Sequence, residues 1–462
     1  MNTILLEPTD VLFFRDGRPM GGASSGHGAA WPLPNVINHA LHAALHRAGF
    51  AGVHEHRRGR SGDYQETRDR KFGSLVTAGP FPVCTKGQDR TWFFPRPADA
   101  DDSGEAVLRP CNTTPGASSL AAPCLHPVVS GKPPSKDTPK PWWSEGAWRE
   151  YLTGTPDPAS QRLGDAEFAD AESTYGIEIS PESGSVVEGQ FYSAHYLRLR
   201  EGWQLGVFAQ ADDKTGGDAG HKRDLITELL PNSGIRTPVI IGGQQRVCTA
   251  LREATGTPPL PHGLTEGFAK HDGKWLVKWI LLSPAVFPGI AAGISKRGTE
   301  RKAHPGGWLP TWVCPQSGKV LLESVSPEER KRRRNLNAAG KGYASTPNID
   351  ARLVAAIIGK PLPVTGWALP NEADPDRAQG GAKSTHLAVP AGSIYYFEAE
   401  SPEAAKALAT ALNWHGSGVS QPSTFNPQPI RNRRSTLFGE KGFGLGVCGT
   451  WDFHPATLKT DH

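Results

Sequence analysis

Apolar and polar positions along this chain recur with two different periods. Near the start, Thr3–Leu6 and Val11–Phe14 predict a short strand with a bend at Pro8. In "NVINHALHAALHRAGF", Val36, Ile37, Ala40, Leu41, Ala44, Leu45 and Ala48 recur at helical spacing, with Gly49 as a stop. "YGIEISPESGSVVEGQFYSAHYLRLREGWQLGVFAQ" alternates between turn signals and predicts antiparallel strands. "RDLITELL" predicts a short helix, and "PVIIGGQQRVCTAL" a glycine turn running into a strand. A second series begins with the strand "GKWLVKWILLSPAVF", followed by the short apolar "ARLVAAIIGK" and the strand "LAVPAGSIYYFEA". "SPEAAKALATALNWHG" carries the signals of a helix: Ser401 as N-cap, Pro402 at the first helical position, Glu403 in the first turn and Gly416 past the end. The closing "FGEKGFGLGVCGTWDF" is a glycine turn entering a last strand.

The two halves therefore share an order: strand, intervening segments, strand, helix, glycine turn, strand. The turns "GGQQRVCTA" from Gly242 and "GFGLGVCGT" from Gly442 both run into Val-Cys. This order predicts an α+β fold of two tandem ferredoxin-like (split βαβ, RRM-like) domains with long loop insertions. The N-terminal domain is expected over 1–256 and the C-terminal one over 257–462. An insertion near 97–160 opens on a stretch rich in Pro, Ser, Asp and Gly, expected to be irregular and partly mobile. A second insertion, near 296–346, is basic: Lys296–Lys341 holds eleven Lys/Arg against four Asp/Glu, including "EERKRRRN".

Composition narrows the function classes. With 37% hydrophobic and 21% charged residues, the 462-residue chain can bury a core. A net charge of +4 is too small to demonstrate nucleic-acid binding, so any basic surface must be local. The six cysteines form no close pair, as expected of a reduced, cytoplasmic protein. The start "MNTILLEPTDVLFFRDGR" lacks a basic n-region and is not expected to be a signal peptide. No apolar run is long enough to span a membrane.

The closing turn is the strongest candidate for chemistry. It is not a Walker A loop, which needs G-x-x-x-x-G-K-[ST]. Nor is it a dinucleotide fingerprint, because Val447 replaces the third glycine and a strand follows. Two readings compete. The glycines could serve only a tight turn with positive φ. Alternatively, without Cβ atoms, their N–H groups could approach a phosphate, with charge from Lys441, Arg431, Arg433 and Arg434 and a stacking face from Phe443.

Several stretches together resemble the third-subunit family of the Cmr complex, the type III-B CRISPR effector. That family belongs to the RAMP superfamily, whose hallmark is a glycine-rich loop. The stretches are "EPTDVLFFRDGRPM", "WPLPNVINHALHAALH", "FGSLVTAGPF", "TWFFPRPAD", "YGIEISPESGSVVEGQFYSAHYLRL", "IIGGQQR", "GKPLPVTGW", "LAVPAGSIYYF" and the closing glycine loop. They run in the family's order over most of the chain and leave both insertions uncovered. The resemblance implies a non-catalytic subunit without cofactor that holds the 5′ handle of the crRNA. It also implies contact with the large polymerase-like subunit and the backbone RAMP subunits. By motif, the RNA role falls on Arg15, Arg18, Ser24, Ser25 and His27, and on Gly242, Gly243 and Arg246. It also falls on Lys441, Gly442, Phe443, Gly444 and Gly446, with Arg433 and Arg434 adding charge beside them.

The alternative is a metal-independent RAMP endoribonuclease processing crRNA, with a histidine near the first helix as general acid or base. His27, His39, His42 and His46 lie there, but the last three sit opposite the apolar stripe as a solvated face. His42 and His46 lack the Glu of H-E-x-x-H. Cys111, Cys124 and His126 share one insertion but not the tight spacing of a zinc site. "TGGDAG" has Ala219 where a palm polymerase needs its second Asp, so it is expected to be a loop.

Overall fold

The computed structural model describes residues 1–15, 31–50, 75–112, 120–133, 136, 139–213, 223–231, 234–253, 258–294, 300–324, 347–368, 381–417 and 430–455. The first half holds β1 (Asn2–Pro8), β2 (Leu12–Phe13), α1 (Pro34–Arg47), β3 (Val76–Lys86), β4 (Asp89–Pro95), β5 (Trp142–Ser144) and α2 (Glu145–Thr153). It continues with β6 (Ala169–Ile179), β7 (Val186–Leu199), β8 (Trp203–Gln210), α3 (Leu225–Leu229), β9 (Arg236–Ile240) and β10 (Val247–Arg252). The second half holds β11 (Ala269–His271), β12 (Lys274–Leu281), β13 (Ala351–Ile357), β14 (Ile394–Ala399), α4 (Pro402–Leu412) and β15 (Gly446–Thr450). The protein is mixed α/β and rich in strands, with several antiparallel sheets.

The first large sheet runs β9-β10-β1-β8-β3-β4-β5 and ends on the two-residue strand Arg162–Leu163. Its central strand β1 pairs antiparallel with both neighbours, Ile4 opposite Val207 on one side and Arg252 on the other. The second sheet runs β11-β12-β14-β13, with β15 also paired to β12. There Trp279 lies opposite Tyr395 and Cys448. The Val-Cys pairs noted in the sequence occupy corresponding strands: Cys248 in β10 and Cys448 in β15, both buried.

The alternation of β1 accounts for its place. Ile4 and Leu6 pack with Val207 and with Ile37, Leu41 and Leu45 of α1. Leu5 faces the other way, into a cluster with Phe208, Ile280, Ile394 and Tyr396. Both faces of β1 are thus buried, which is why "ILL" is continuous rather than alternating. The second sheet repeats the logic: Val277, Trp279 and Leu281 pack with Leu408 and Leu412 of α4, while Leu276 and Ile280 face the first sheet. The two sheets therefore stack back to back, with α1 and α4 outside. On the α4 side, Phe287, Leu309, Val313, Val320 and Ile349 from irregular chain fill the core between β12 and β13.

Helix α4 begins as its sequence signals, with Ser401 Oγ accepting the Ala404 N–H at 3.1 Å and Pro402 at the start. It ends at Leu412, four residues before Gly416, because Asn413 is extended and its buried side chain turns to other partners. Asn413 Nδ2 donates to Leu264 O at 2.9 Å, and Oδ1 accepts from Cys448 N at 2.6 Å.

The insertion near 97–160 is more ordered than its composition predicts. Leu108–Pro110 pairs with Val128–Ser130, and Trp143 and Trp148 are fully buried. Asp99, also buried, accepts from Tyr151 Oη at 2.6 Å and pairs with Lys278 Nζ of β12 at 2.8 Å. Long-range aromatic and ionic contacts override the local loop signals. "EERKRRRN" and "TGGDAG" lie outside the described residues.

Candidate nucleic-acid interface

In the closing glycine turn the N–H groups from Lys441 to Leu445 are already engaged within the protein. Phe438 at φ 63° and Gly442 at φ 97° bracket the short turn Gly439–Lys441. The N–H groups of Lys441 and Phe443 donate to Phe438 O, Gly442 to Gly439 O and Gly444 to Pro284 O, while Leu445 donates to Ser283 Oγ. A phosphate would find none of these five donors spare. A Cβ on Gly444 would come 2.0 Å from Ser435 N, and one on Gly446 2.3 Å from Trp279 Nε1. On Gly442 it would lie 3.1 Å from Thr77 O and Ala78 Cα of β3. These glycines let backbone pack on protein, which favours the tight-turn reading over the platform. Phe443 is fully buried with Val286, Val364 and Ala388, so its ring packs into protein rather than toward solvent.

The nearby arginines are also drawn inward. Arg434 Nε donates to Ala411 O at 2.5 Å, satisfying a carbonyl in the last turn of α4. Arg433 keeps one bond, Nη1 to Ile430 O at 3.4 Å, while its Nε and Nη2 are buried without partners. Burial pushes its guanidinium down to about 10, still protonated at neutral pH. Lys441 reaches back to α1, with Nζ 3.1 Å from His39 Nε2. Crowding, together with Lys441, Lys383 and His42, pushes the His39 imidazole down to about 3. It is therefore neutral at pH 7 and accepts from the ammonium.

The earlier glycine turn is different. Gly243 N donates to Phe13 O at 2.9 Å, and a Cβ on Gly242 would lie 2.4 Å from that same oxygen. This close approach carries the loop out over β2. The exposed Gln244 and Gln245 are then held at φ 55° and 52°. Left-handed backbone costs a non-glycine residue roughly 1–2 kcal/mol, and such strain gathers at functional sites. Next to it, Arg246 lies over the Tyr196 ring at 5.1 Å from the centroid and bonds Gln244 Oε1 at 3.2 Å. Tyr196 Oη donates to the same oxygen at 3.1 Å, and its ring meets Phe13 at 5.5 Å. Asp10 lies 3.0 Å from Arg198 and 3.5 Å from Arg246, so these cations share one carboxylate. Arg15 is exposed two residues beyond Phe13.

The structure thus brings Arg15, Gly242, Gly243 and Arg246 together around Phe13. It groups Arg433, Arg434, Lys441, Gly442, Phe443, Gly444 and Gly446 separately, against α1, β3 and α4. Arg18, Ser24, Ser25 and His27 lie outside the described residues. Phe13, Tyr196 and Gln244 were not singled out from the sequence. The alternation of Tyr196, Arg198 and Arg200 with Leu197 and Leu199 was the available signal. Cys111, Cys124 and His126 do not assemble: among the described residues no group of three His, Cys, Asp or Glu is placed to hold a metal. Burial pushes the Cys124 thiol up to about 11, and His126 lies 3.7 Å from Glu398 instead. No described helix is long and apolar enough to cross a membrane.

The family model described as CRISPR-associated protein (Cas_Cmr3) matches residues 4–451, spanning both sheets. The chain belongs to the Cmr3 family. It is accordingly a subunit of the type III-B CRISPR Cmr complex. No curated protein matches it. Among solved structures it is similar to a chain of the type III-B Cmr-beta complex bound to cognate target RNA and AMPPnP in state 1. There the identity is 14%, the TM-score 0.35, and 85% of this chain and 86% of that one are covered. The complex with cognate target RNA alone gives 13% identity, the same coverage and a TM-score of 0.35. A chain of the type III-A Csm3-Csm4 subcomplex gives 11% identity, 86% and 92% coverage and a TM-score of 0.32.

Proposed function

We propose that this Cmr3-family subunit is a non-catalytic RNA-binding component that holds the 5′ handle of the crRNA in antiviral defence. In that role it contacts the large polymerase-like subunit and the backbone RAMP subunits, in the cytoplasm. The last-first-third-second order of β10-β1-β8-β3, matched by β15-β12-β14-β13, supports two tandem ferredoxin-like halves near 1–256 and 257–462. The observation that carries the RNA reading is the strained, exposed Gln244–Gln245 turn, set beside Arg246 on the Tyr196 ring. An aromatic face on β7 beside a loop that supplies a cation and outward backbone suits single-stranded RNA, whose bases stack and whose phosphates need charge.

Purification of the tagged full chain with its co-expressed partners and a repeat-spacer transcript tests this reading. Sequencing of the bound RNA is expected to give one common 5′ end, and incubation of the isolated chain with repeat RNA in EDTA is expected to leave it intact. Heterogeneous 5′ ends would remove the handle role. Cleavage in EDTA would install the ribonuclease alternative.

A further inference from the structure

Tyr196, near the base of the β6–β7 hairpin, belongs to the RNA reading, but the hairpin's outer end does not, and its chemistry points to another partner. Its two strands pair through Tyr175 opposite Ser193 and Ile179 opposite Val186, and β2 extends the sheet on the β7 side. Residues two apart on a strand share a face. Ala169 and Leu197, at the base of one face, are buried in the first core. Farther out, that face turns to solvent: Tyr175 is 67% exposed, Ile177 49%, Ile179 58% and, across the ladder, Val186 57%. Contiguous exposed apolar side chains of this size mark interaction sites.

Charge selects among the possible occupants. From Leu163 to Leu197 the sequence contains seven Asp/Glu and no Lys or Arg. Asp170 and Glu172 near the base are paired with Arg200 and Arg198. Glu178 on the opposite face of β6, Glu182 in the turn and Glu188 on β7 are all exposed at the same outer end. A polyanion would be repelled from this end, so RNA is a poor fit. A second copy is a poor fit as well, because it would set the same three carboxylates against themselves. We infer that the outer β6–β7 hairpin is a protein-docking element whose apolar face seats in a groove rimmed by Lys or Arg on another subunit of the complex. This rests on membership in an assembled complex, but not on the handle-binding site.

The test uses the full chain within the purified complex. A photo-crosslinking amino acid replaces Tyr175 in one preparation and Ile179 in another, and the crosslinked peptide is sequenced. The expected product is one protein partner, joined within a peptide carrying Lys or Arg. A crosslink to RNA, a crosslink to a second copy, or no crosslink at either position would overturn the inference. In parallel, Ile177→Ser/Ile179→Ser and Glu178→Lys/Glu182→Lys/Glu188→Lys are each expected to lower incorporation of that same partner about tenfold, with bound crRNA retained. Normal incorporation of the partner in both variants would also overturn it. Loss of crRNA with the partner retained would overturn it too, by placing RNA on the hairpin, and would leave the handle-binding reading standing.

Discussion

A Gly444→Val chain is expected to fail in folding rather than in RNA contact. At φ 77°, Gly444 occupies left-handed backbone that L side chains avoid at roughly 1–2 kcal/mol. Any Cβ there would also meet the Ser435 backbone nitrogen at 2.0 Å and Ser435 Cβ at 2.7 Å. Backbone cannot rotate aside as a side chain can, so the loop Arg434–Leu437 must shift, at a further cost of about 1–3 kcal/mol. For a chain of 462 residues the sum is large enough to lower Tm by roughly 2–5 °C. Phe443→Ala, which opens a hole in the same cluster, is expected to cost about 3–5 kcal/mol. Gly439→Ala serves as the control, since the nearest atoms to its Cβ would be Arg433 Cβ at 3.4 Å and Arg433 O at 4.0 Å. Thermal unfolding and handle-RNA affinity on the same preparations decide the matter. Low Tm with near-normal affinity of the folded fraction is expected for the first two variants. Normal Tm with weakened RNA binding would restore the closing glycines as an RNA platform.

Lys278→Met is the second large effect. Lys278 lies on the face of β12 turned toward the first sheet, only 5% exposed. Its Nζ is held by Asp99 at 2.8 Å and lies over the Tyr151 ring at 4.4 Å. Tyr396 adds a longer contact to Asp99 at 3.4 Å. Removing the ammonium leaves Asp99 as a buried carboxylate whose side-chain donors among the described residues are Tyr151 and Tyr396, and breaking such a pair costs about 3–5 kcal/mol. Removing both charges with Asp99→Asn/Lys278→Met should recover part of that loss, because no unpaired charge remains. The exposed pair Arg198–Glu172 is the contrast, worth about 0.2–1 kcal/mol. Denaturant unfolding of the two singles and the double checks the cycle. Additive single losses would mean that the two groups act independently, and that the pair does not join the halves.

Local patterns made much of this fold legible. The apolar run of β1, the stripe of α1 and the cap of α4 each report contacts within a few residues or one buried face. The strand order was legible only through the parallel order of the two halves. What stayed hidden depends on distant partners. The ordered insertion rests on Trp143 and Trp148, buried in a cluster with residues of both sheets, and on Asp99, which pairs with Lys278 of β12. Phe443 was read as a stacking ring beside a charged loop, yet Phe443, Leu445 and Val447 alternate with Gly444 and Gly446, a period-2 signal of buried strand-like chain. The first glycine turn looked the weaker of the two because its strain falls on glutamines. Sequence does not announce that Gln244 and Gln245 adopt positive φ.

The proposed RNA contact lies at Arg15 and Arg246 rather than at the closing glycines. The most direct measurement is the affinity of handle RNA for a folded Arg15→Ala/Arg246→Ala variant across a salt series. Each phosphate neutralised on a single strand contributes about 0.7 to the log-log salt slope, so losing two contacts should flatten it by about 1.4. Affinity at fixed salt is expected to fall about tenfold or more, equivalent to about 1.4 kcal/mol. An unchanged slope and affinity, with wild-type Tm, would contradict the account and place the RNA elsewhere on the protein.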